Sequence, residues 1–223
     1  MDNLYNQKWQ KFLGKVWPFK LIPFVDFVLA AGSLATGNVN ENSDFDVIVG
    51  VRQGRIFTVR FFCWLIFGMF GWRAVHKGNN SKKWRDKICF NHFVTPAAYR
   101  LSPPHNEYWK NLYQNLVPVY GEPEVIQKFF DANADWLQER RMYITDKRHV
   151  YKKKGFLKRF WEWRWFGIWA DWTEKLLKAV QTMRIENSIK KQSGYKPRII
   201  YNDNELEFHS DTKRIELYIK NKL

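Results

Sequence analysis

Residues 27–50 hold the pattern that most restricts how this chain can fold: an apolar run, a Gly-Ser turn, a polar loop, and a strand with acids at alternate positions. The turn is Gly32-Ser33, and the acids are Asp44 and Asp46. Side chains two apart on a strand point to the same face, so we expect the two carboxylates to converge. Paired carboxylates suit Mg²⁺, whose coordination is usually completed by substrate phosphates. Backbone N–H groups at the Gly-Ser turn could bind those phosphates.

The same residues resemble the signature of the nucleotidyltransferase superfamily related to DNA polymerase beta. That signature is a hydrophobic residue, Gly-Ser or Gly-Gly, a polar loop, and then acid-hydrophobic-acid-hydrophobic. The matching positions are Ala31, Gly32, Ser33, Asp44, Phe45, Asp46 and Val47, with Ser43 before the first acid as in the small bacterial members. The resemblance covers residues 24–50 and extends, with less specific sequence, to residue 121. It implies an α/β (α+β) fold, a small mixed sheet with flanking helices.

The resemblance also implies an activity. A nucleoside monophosphate would pass from a nucleoside triphosphate such as ATP to an acceptor hydroxyl, with Mg²⁺ or Mn²⁺ as cofactor and release of pyrophosphate. The triphosphate would lie at Gly32 and Ser33, close to Ser43, and the metal would be bound by Asp44 and Asp46. The acceptor stays open, and RNA, another nucleic acid, a protein and a small molecule all fit the pattern.

A third carboxylate, which the family carries on a later strand, is not evident in this chain. The best later strand, residues 87–94, has Asn91 and His92 where an acid is expected. Asn91 is the candidate for this catalytic position, although an amide is neutral and a poor base. His92 could serve as a base, and Asp86 could fill the role if the strand register is shifted. Two alternatives follow: a catalytically impaired nucleotide- or RNA-binding protein, or an antitoxin-like partner of a helical toxin.

The formal net charge is +15, from 37 Lys and Arg against 22 Asp and Glu. Such a charge predicts a polyanionic partner, for example nucleic acid, an anionic membrane or a ribosomal surface. It argues against a small cationic substrate, which would need an acidic pocket. Lys82 and Lys83 belong to a basic polar loop after the second strand, and both are candidates for phosphate contacts.

Cysteine usage and hydropathy predict a cytoplasmic protein without a transmembrane segment. Cys63 and Cys89 lie in apolar sequence and fit buried free thiols in a reducing cytosol. The longest apolar run, residues 61–72, is shorter than the roughly 20 residues that cross a bilayer. The first residues of the chain lack the apolar core of a signal peptide. The oligomeric state cannot be inferred from these features.

The sequence predicts two parts: a nucleotidyltransferase domain over residues 1–121 and a basic, Trp-rich, mainly helical region over residues 122–223. Within the second part, residues 124–141 have a helical pattern, and residues 198–208 indicate a hairpin around an Asn-Asp-Asn turn. Four tryptophans recur at helical spacing, namely Trp161, Trp165, Trp169 and Trp172. For this stripe we favour core packing over stacking on nucleic-acid bases.

Overall fold

A computed structural model describes residues 2–74, 84–103, 105–150, 168–190 and 198–209, together with Lys158, Phe160 and Glu162. These residues form one mixed six-stranded sheet with flanking helices and a helical C-terminal region. The predicted fold class is therefore confirmed. Across the described residues, none of the helices has the length and apolar character needed to cross a bilayer.

The helices of the described residues are α1 (Asp2–Val16), α2 (Gly32–Thr36), α3 (Ile56–Met69), α4 (Glu107–Asn115), α5 (Pro123–Asp131), α6 (Ala134–Leu137) and α7 (Ile168–Lys190). The strands are β1 (Val25–Ala30), β2 (Phe45–Val51), β3 (Ile88–Val94), β4 (Val117–Gly121), β5 (Arg198–Tyr201) and β6 (Glu205–His209). Short 3-10 helices cover Trp17–Lys20 and Pro96–Ala98.

The strand order across the sheet is β4-β1-β2-β3-β6-β5. Strands β2 and β3 are parallel and are joined through α3, whereas all other neighbours in this sheet are antiparallel. The predicted C-terminal hairpin is confirmed as β5 and β6, and β6 pairs with β3. The sheet thus draws strands from both sides of residue 121, where the domain boundary remains a prediction.

Two apolar cores lie on opposite faces of this sheet. The first core contains the inner faces of α1 and α3, and the second contains residues of α4, α5 and α6. Strand β2 divides its side chains between them by strict alternation, with Phe45 and Val47 in the first core and Ile48 in the second. Because Asp46 lies between Phe45 and Val47, its side chain is directed to the second face.

The helical pattern over residues 124–141 corresponds to two short helices with a break between them, because α5 ends at Asp131 and α6 covers Ala134–Leu137. Buried Asn133 explains the break. Its amide nitrogen donates to the carbonyls of Tyr99 at 2.7 Å and Phe129 at 2.8 Å. Its oxygen accepts from the Leu101 N–H at 3.0 Å. A side chain that bonds several backbone groups in this way holds a turn rather than a straight helix.

Helix α7 packs against α3 and also completes its first turn. The carboxylate of Glu174 accepts the N–H groups of Phe57 at 2.9 Å and Thr58 at 2.8 Å. These are two of the donors that the start of α3 leaves without an intrahelical partner. A residue far away in sequence therefore provides the N-terminal cap that Arg55, at the cap position, does not supply.

The core packing predicted for the tryptophan stripe is wrong for Trp169 and Trp172, which are 79% and 67% exposed. The helical repeat explains the error. Gln181 and Ile185 are buried on the inner face of α7, and at 100° per residue the two tryptophans lie on the opposite side of the helix. Trp161 and Trp165 are outside the described residues.

Candidate functional site

Asp44 and Asp46 lie at the start of β2, and both are partly buried on the second face of the sheet. One carboxylate oxygen from each, together with the Cys89 sulfur, lies within 4.8 Å of the other two. Cys89 comes from β3 and pairs with Asp46 across the parallel strands. The start of β2 and the neighbouring strand β3 thus bring two acids and a thiol into one cluster.

Gly32 lies directly against this cluster. Its φ is +60°, and a Cβ atom on it would come within 2.9 Å of the Asp46 Cγ and closer still to Oδ2. The main chains also meet, since the Ala31 N–H donates to the Asp46 carbonyl at 2.9 Å. Ser33 follows in the first turn of α2 and is partly buried. The Gly-Ser turn and the second acid are therefore in contact, and only glycine leaves room for the carboxylate.

Strand β3 has a register shift at Asn91. Val47 pairs with Phe90, but the next residue of β2, Ile48, pairs with His92. Asn91 is thus an extra residue in β3, and such bulges redirect a side chain at many active sites. As a result, the consecutive residues Asn91 and His92 both face the second side of the sheet instead of alternating.

Asn91 is engaged with the acid pair. Its amide nitrogen donates to the Asp46 Oδ1 at 2.7 Å, and its oxygen accepts from the Cys89 thiol at 2.9 Å. Burial raises the pKa of Cys89 well above its ordinary value, and the nearby charges of Asp46 and Asp44 add to the effect. The thiol therefore stays protonated and acts as a donor, while Asn91 positions Asp46 without adding charge.

The two alternatives to Asn91 have other partners. His92 Nε2 is 2.9 Å from Glu205 Oε1, in a buried contact between β3 and β6. Asp86 forms ion pairs of 2.7 Å with Lys8 and with Lys11 of α1. Over the described part of the chain, neither His92 nor Asp86 belongs to the cluster formed by the acid pair and Cys89.

Lys8 also supports the site, although no sequence motif includes it. It is only 1% exposed, and its ammonium donates to the carbonyls of Glu41 at 2.8 Å and Ser43 at 3.0 Å, and to Asp86 Oδ1 at 2.7 Å. The loop that delivers Asp44 is therefore tied to α1. One signal was present, because Lys8 lies at helical spacing with the buried residues Phe12 and Val16 of α1.

Of the remaining residues predicted to bind phosphate, Ser43 takes part in a turn of the loop, and two lysines lie outside the described residues. Ser43 is buried, and its hydroxyl accepts the Asn40 N–H at 2.9 Å. Its own N–H donates to the Asn40 carbonyl at 3.1 Å, which closes a turn ahead of the acids. Lys82 and Lys83 are outside the described residues.

The donor set of this cluster fits a hard divalent cation. Two carboxylates converge, the neighbouring thiol is neutral, and Gly32 lets the main chain approach the Asp46 carboxylate closely. Asp44 and Asp46 are the residues that would hold Mg²⁺ or Mn²⁺. Comparisons of the chain with family models, with curated proteins and with solved structures give no match.

Proposed function

We propose that this chain is a Mg²⁺-dependent nucleotidyltransferase, which moves a nucleoside monophosphate from a nucleoside triphosphate to an acceptor hydroxyl and releases pyrophosphate. One observation carries the proposal: the side-chain-free Gly32 is packed against the carboxylate of Asp46, within the cluster that also contains Asp44. A phosphate bound by the backbone N–H groups of this turn would be next to a cation held by the acids.

Each residue of the site has a distinct part in this proposal. Asp44 and Asp46 would bind the cation, and the Gly32-Ser33 backbone would orient the phosphates. Asn91 fixes the rotamer of Asp46 through the hydrogen bond to Oδ1. Bound Mg²⁺ would neutralise charge on the triphosphate and would lower the pKa of the attacking hydroxyl. That oxygen forms a bond to the α-phosphorus, the bond to the leaving pyrophosphate breaks, and the hydroxyl proton passes to solvent.

A direct test measures transfer of label from α-labelled triphosphates in Mg²⁺ or Mn²⁺ to total RNA or to a protein extract. Asp44→Asn and Asp46→Asn should each reduce transfer by about 100-fold or more, because each removes a charged ligand. Asp135→Asn is a matched control, since Asp135 is an exposed acid on α6 that is paired with Arg100 at 2.8 Å. Transfer at the wild-type rate by both site variants would contradict the proposal.

The neutral Asn91 favours a second candidate, a protein that binds nucleotide without transferring it. In that case a triphosphate raises the melting temperature of the wild-type protein, but no pyrophosphate appears. Asn91→Asp separates the two candidates, because it puts a third carboxylate in place of the amide whose nitrogen donates to Asp46.

For a slow transferase, we expect Asn91→Asp to increase transfer by about tenfold or more, in line with the gain from a positioned general base. The added charge next to Asp46 should also lower the stability of the protein in EDTA, because like charges repel. Addition of Mg²⁺ should restore that stability. Asn91→Ala is the control, because it removes the amide without adding charge. Nucleotide binding with no pyrophosphate release, even from Asn91→Asp, would establish the binding protein instead.

A further inference from the structure

The outer face of α3 forms a continuous exposed apolar surface. Phe61, Leu65 and Met69 are spaced four residues apart, so they form one line along the helix. All three are exposed, and Met69 is 78% exposed. Phe70, directly after the end of α3, is also exposed, and the exposed ring of Trp17 contacts it with centroids 5.5 Å apart. We call these five residues the α3 apolar surface.

Core packing does not account for this surface. The inner face of α3 already supplies Ile56, Val59, Cys63 and Phe67 to the first core. The segment from Phe61 to Trp72 contains no charged residue. Arg60, just before it, is buried, with its guanidinium over the Trp64 ring at 3.7 Å. A helix that is apolar on every side is normally covered on every side, so the outer face calls for a partner.

The surroundings of the α3 apolar surface are basic. Lys20 belongs to the short 3-10 helix that also contains Trp17. After α3, the guanidinium of Arg73 lies 4.6 Å from the centroid of the Trp64 ring. Arg85 and Lys87 are the other basic residues among the described residues 73–74 and 84–87, and the one acid among them is Asp86. That acid is already paired with Lys8 and Lys11. The partner therefore has to accept large apolar side chains in its interior and positive charge at the rim.

We propose that the α3 apolar surface docks on an anionic phospholipid bilayer. Membrane-binding elements at the bilayer interface have this composition, with Trp, Phe, Leu and Met at the centre and Lys and Arg around them. A second copy of the chain would oppose two basic rims, which repel each other. Single-stranded RNA stacks on aromatic rings, but Leu65 and Met69 have no ring to stack on.

Membrane docking through this surface is compatible with the candidate functional site. Helix α3 covers the first face of the sheet, whereas the acid pair Asp44 and Asp46 lies at the second face. A protein held to a bilayer by α3 would therefore carry its acid pair on the side of the sheet that faces away from the lipid. The docking proposal does not depend on whether the acid pair catalyses transfer.

The test measures co-sedimentation of the full chain with phosphatidylcholine vesicles that contain or lack phosphatidylserine. We expect binding to be about tenfold tighter or more with phosphatidylserine, and weaker at high salt. The double variant Leu65→Gln/Met69→Gln should lose about tenfold or more of this affinity. Its control is Trp169→Gln/Trp172→Gln, which removes two exposed apolar residues from α7 instead.

A label gives an independent readout of insertion. Both natural cysteines are buried, so Met69→Cys adds one accessible thiol for an environment-sensitive fluorophore, and its emission should shift to shorter wavelength with anionic vesicles. Three results would overturn the proposal: no preference for phosphatidylserine, equal loss of binding in the α7 control, or a dimer that the Leu65/Met69 variant dissociates. Fluorophore that shifts with RNA but not with vesicles would also overturn it.

Discussion

Replacement of Lys8 by methionine is the sharpest test of how the loop before the acid pair is held. The Lys8 ammonium has three acceptors within 3.0 Å, two of them carbonyls of the loop and one of them the Asp86 carboxylate. Methionine has nearly the same length and an apolar end, so Lys8→Met removes these bonds without opening a large cavity. The substitution therefore reports on the polar contacts rather than on packing.

The expected cost follows from burial. Removal of one partner from a buried ion pair costs about 3–5 kcal/mol, because the other charge loses its compensation. Asp86 keeps Lys11 at 2.7 Å, so we expect the lower end, about 3 kcal/mol of unfolding free energy. For a chain of this size, that corresponds to a fall of roughly 6–12 °C in melting temperature.

Urea denaturation measures the free energy, and hydrogen exchange of the N–H groups of residues 40–46 measures the local effect. We expect faster exchange there in Lys8→Met than in the wild type. Lys11→Met is the control, because Lys11 also pairs with Asp86 but is 47% exposed, and such pairs contribute less than about 1 kcal/mol. If the two variants are destabilised equally, Lys8 does not anchor the loop and the reasoning fails.

Three further predictions concern backbone space, helix capping and pH. Gly32→Ala should abolish triphosphate-dependent stabilisation and cost more than Gly37→Ala in urea denaturation, because both glycines have positive φ but only Gly32 faces a side chain. Glu174→Ala should cost about 1–2 kcal/mol through loss of the α3 cap, whereas Glu186→Ala, at an exposed position on the same helix, should change stability little. Burial alone would raise the pKa of Asp86, but the hydrogen bonds and charges of two α1 lysines lower it below its ordinary value. The contribution of ionised Asp86 to stability is thus complete above about pH 5 and is lost as the pH falls through the lowered pKa. Asp86→Asn should therefore weaken the fall in unfolding free energy at acid pH, measured by urea denaturation at a series of pH values. The same acid fall in the variant as in the wild type would contradict this.

The local features of the fold could be read from the sequence because they depend on neighbouring residues. The alternation around Asp46 predicts a strand there, which the structure has as β2, and the Asn-Asp-Asn turn marks the β5–β6 hairpin. The bulge at Asn91 could not be read, since a register shift is a property of two paired strands. The same holds for Lys8, whose acceptors are 33 to 78 residues away.

The sequence also could not assign the two faces of α7. Apolar residues occur around most of that helix, so periodicity alone does not tell which side meets α3. Contact with α3 is decided by Glu174 and Gln181, polar residues that bond its backbone and Arg60. Exposed Trp169 lies on the other side for that reason.

The place of β6 beside β3 has a consequence for biosynthesis. His92 and Glu205, which meet across these strands, are 113 residues apart in the chain. A ribosome completes β3 long before it reaches β6, and until then one edge of β3 exposes unpaired N–H and C=O groups. Such an edge readily pairs with other nascent chains, and closure over a long separation is slow. Substitutions in the hairpin should therefore reduce the yield of folded protein in cells more strongly than they reduce the stability of the protein that has folded.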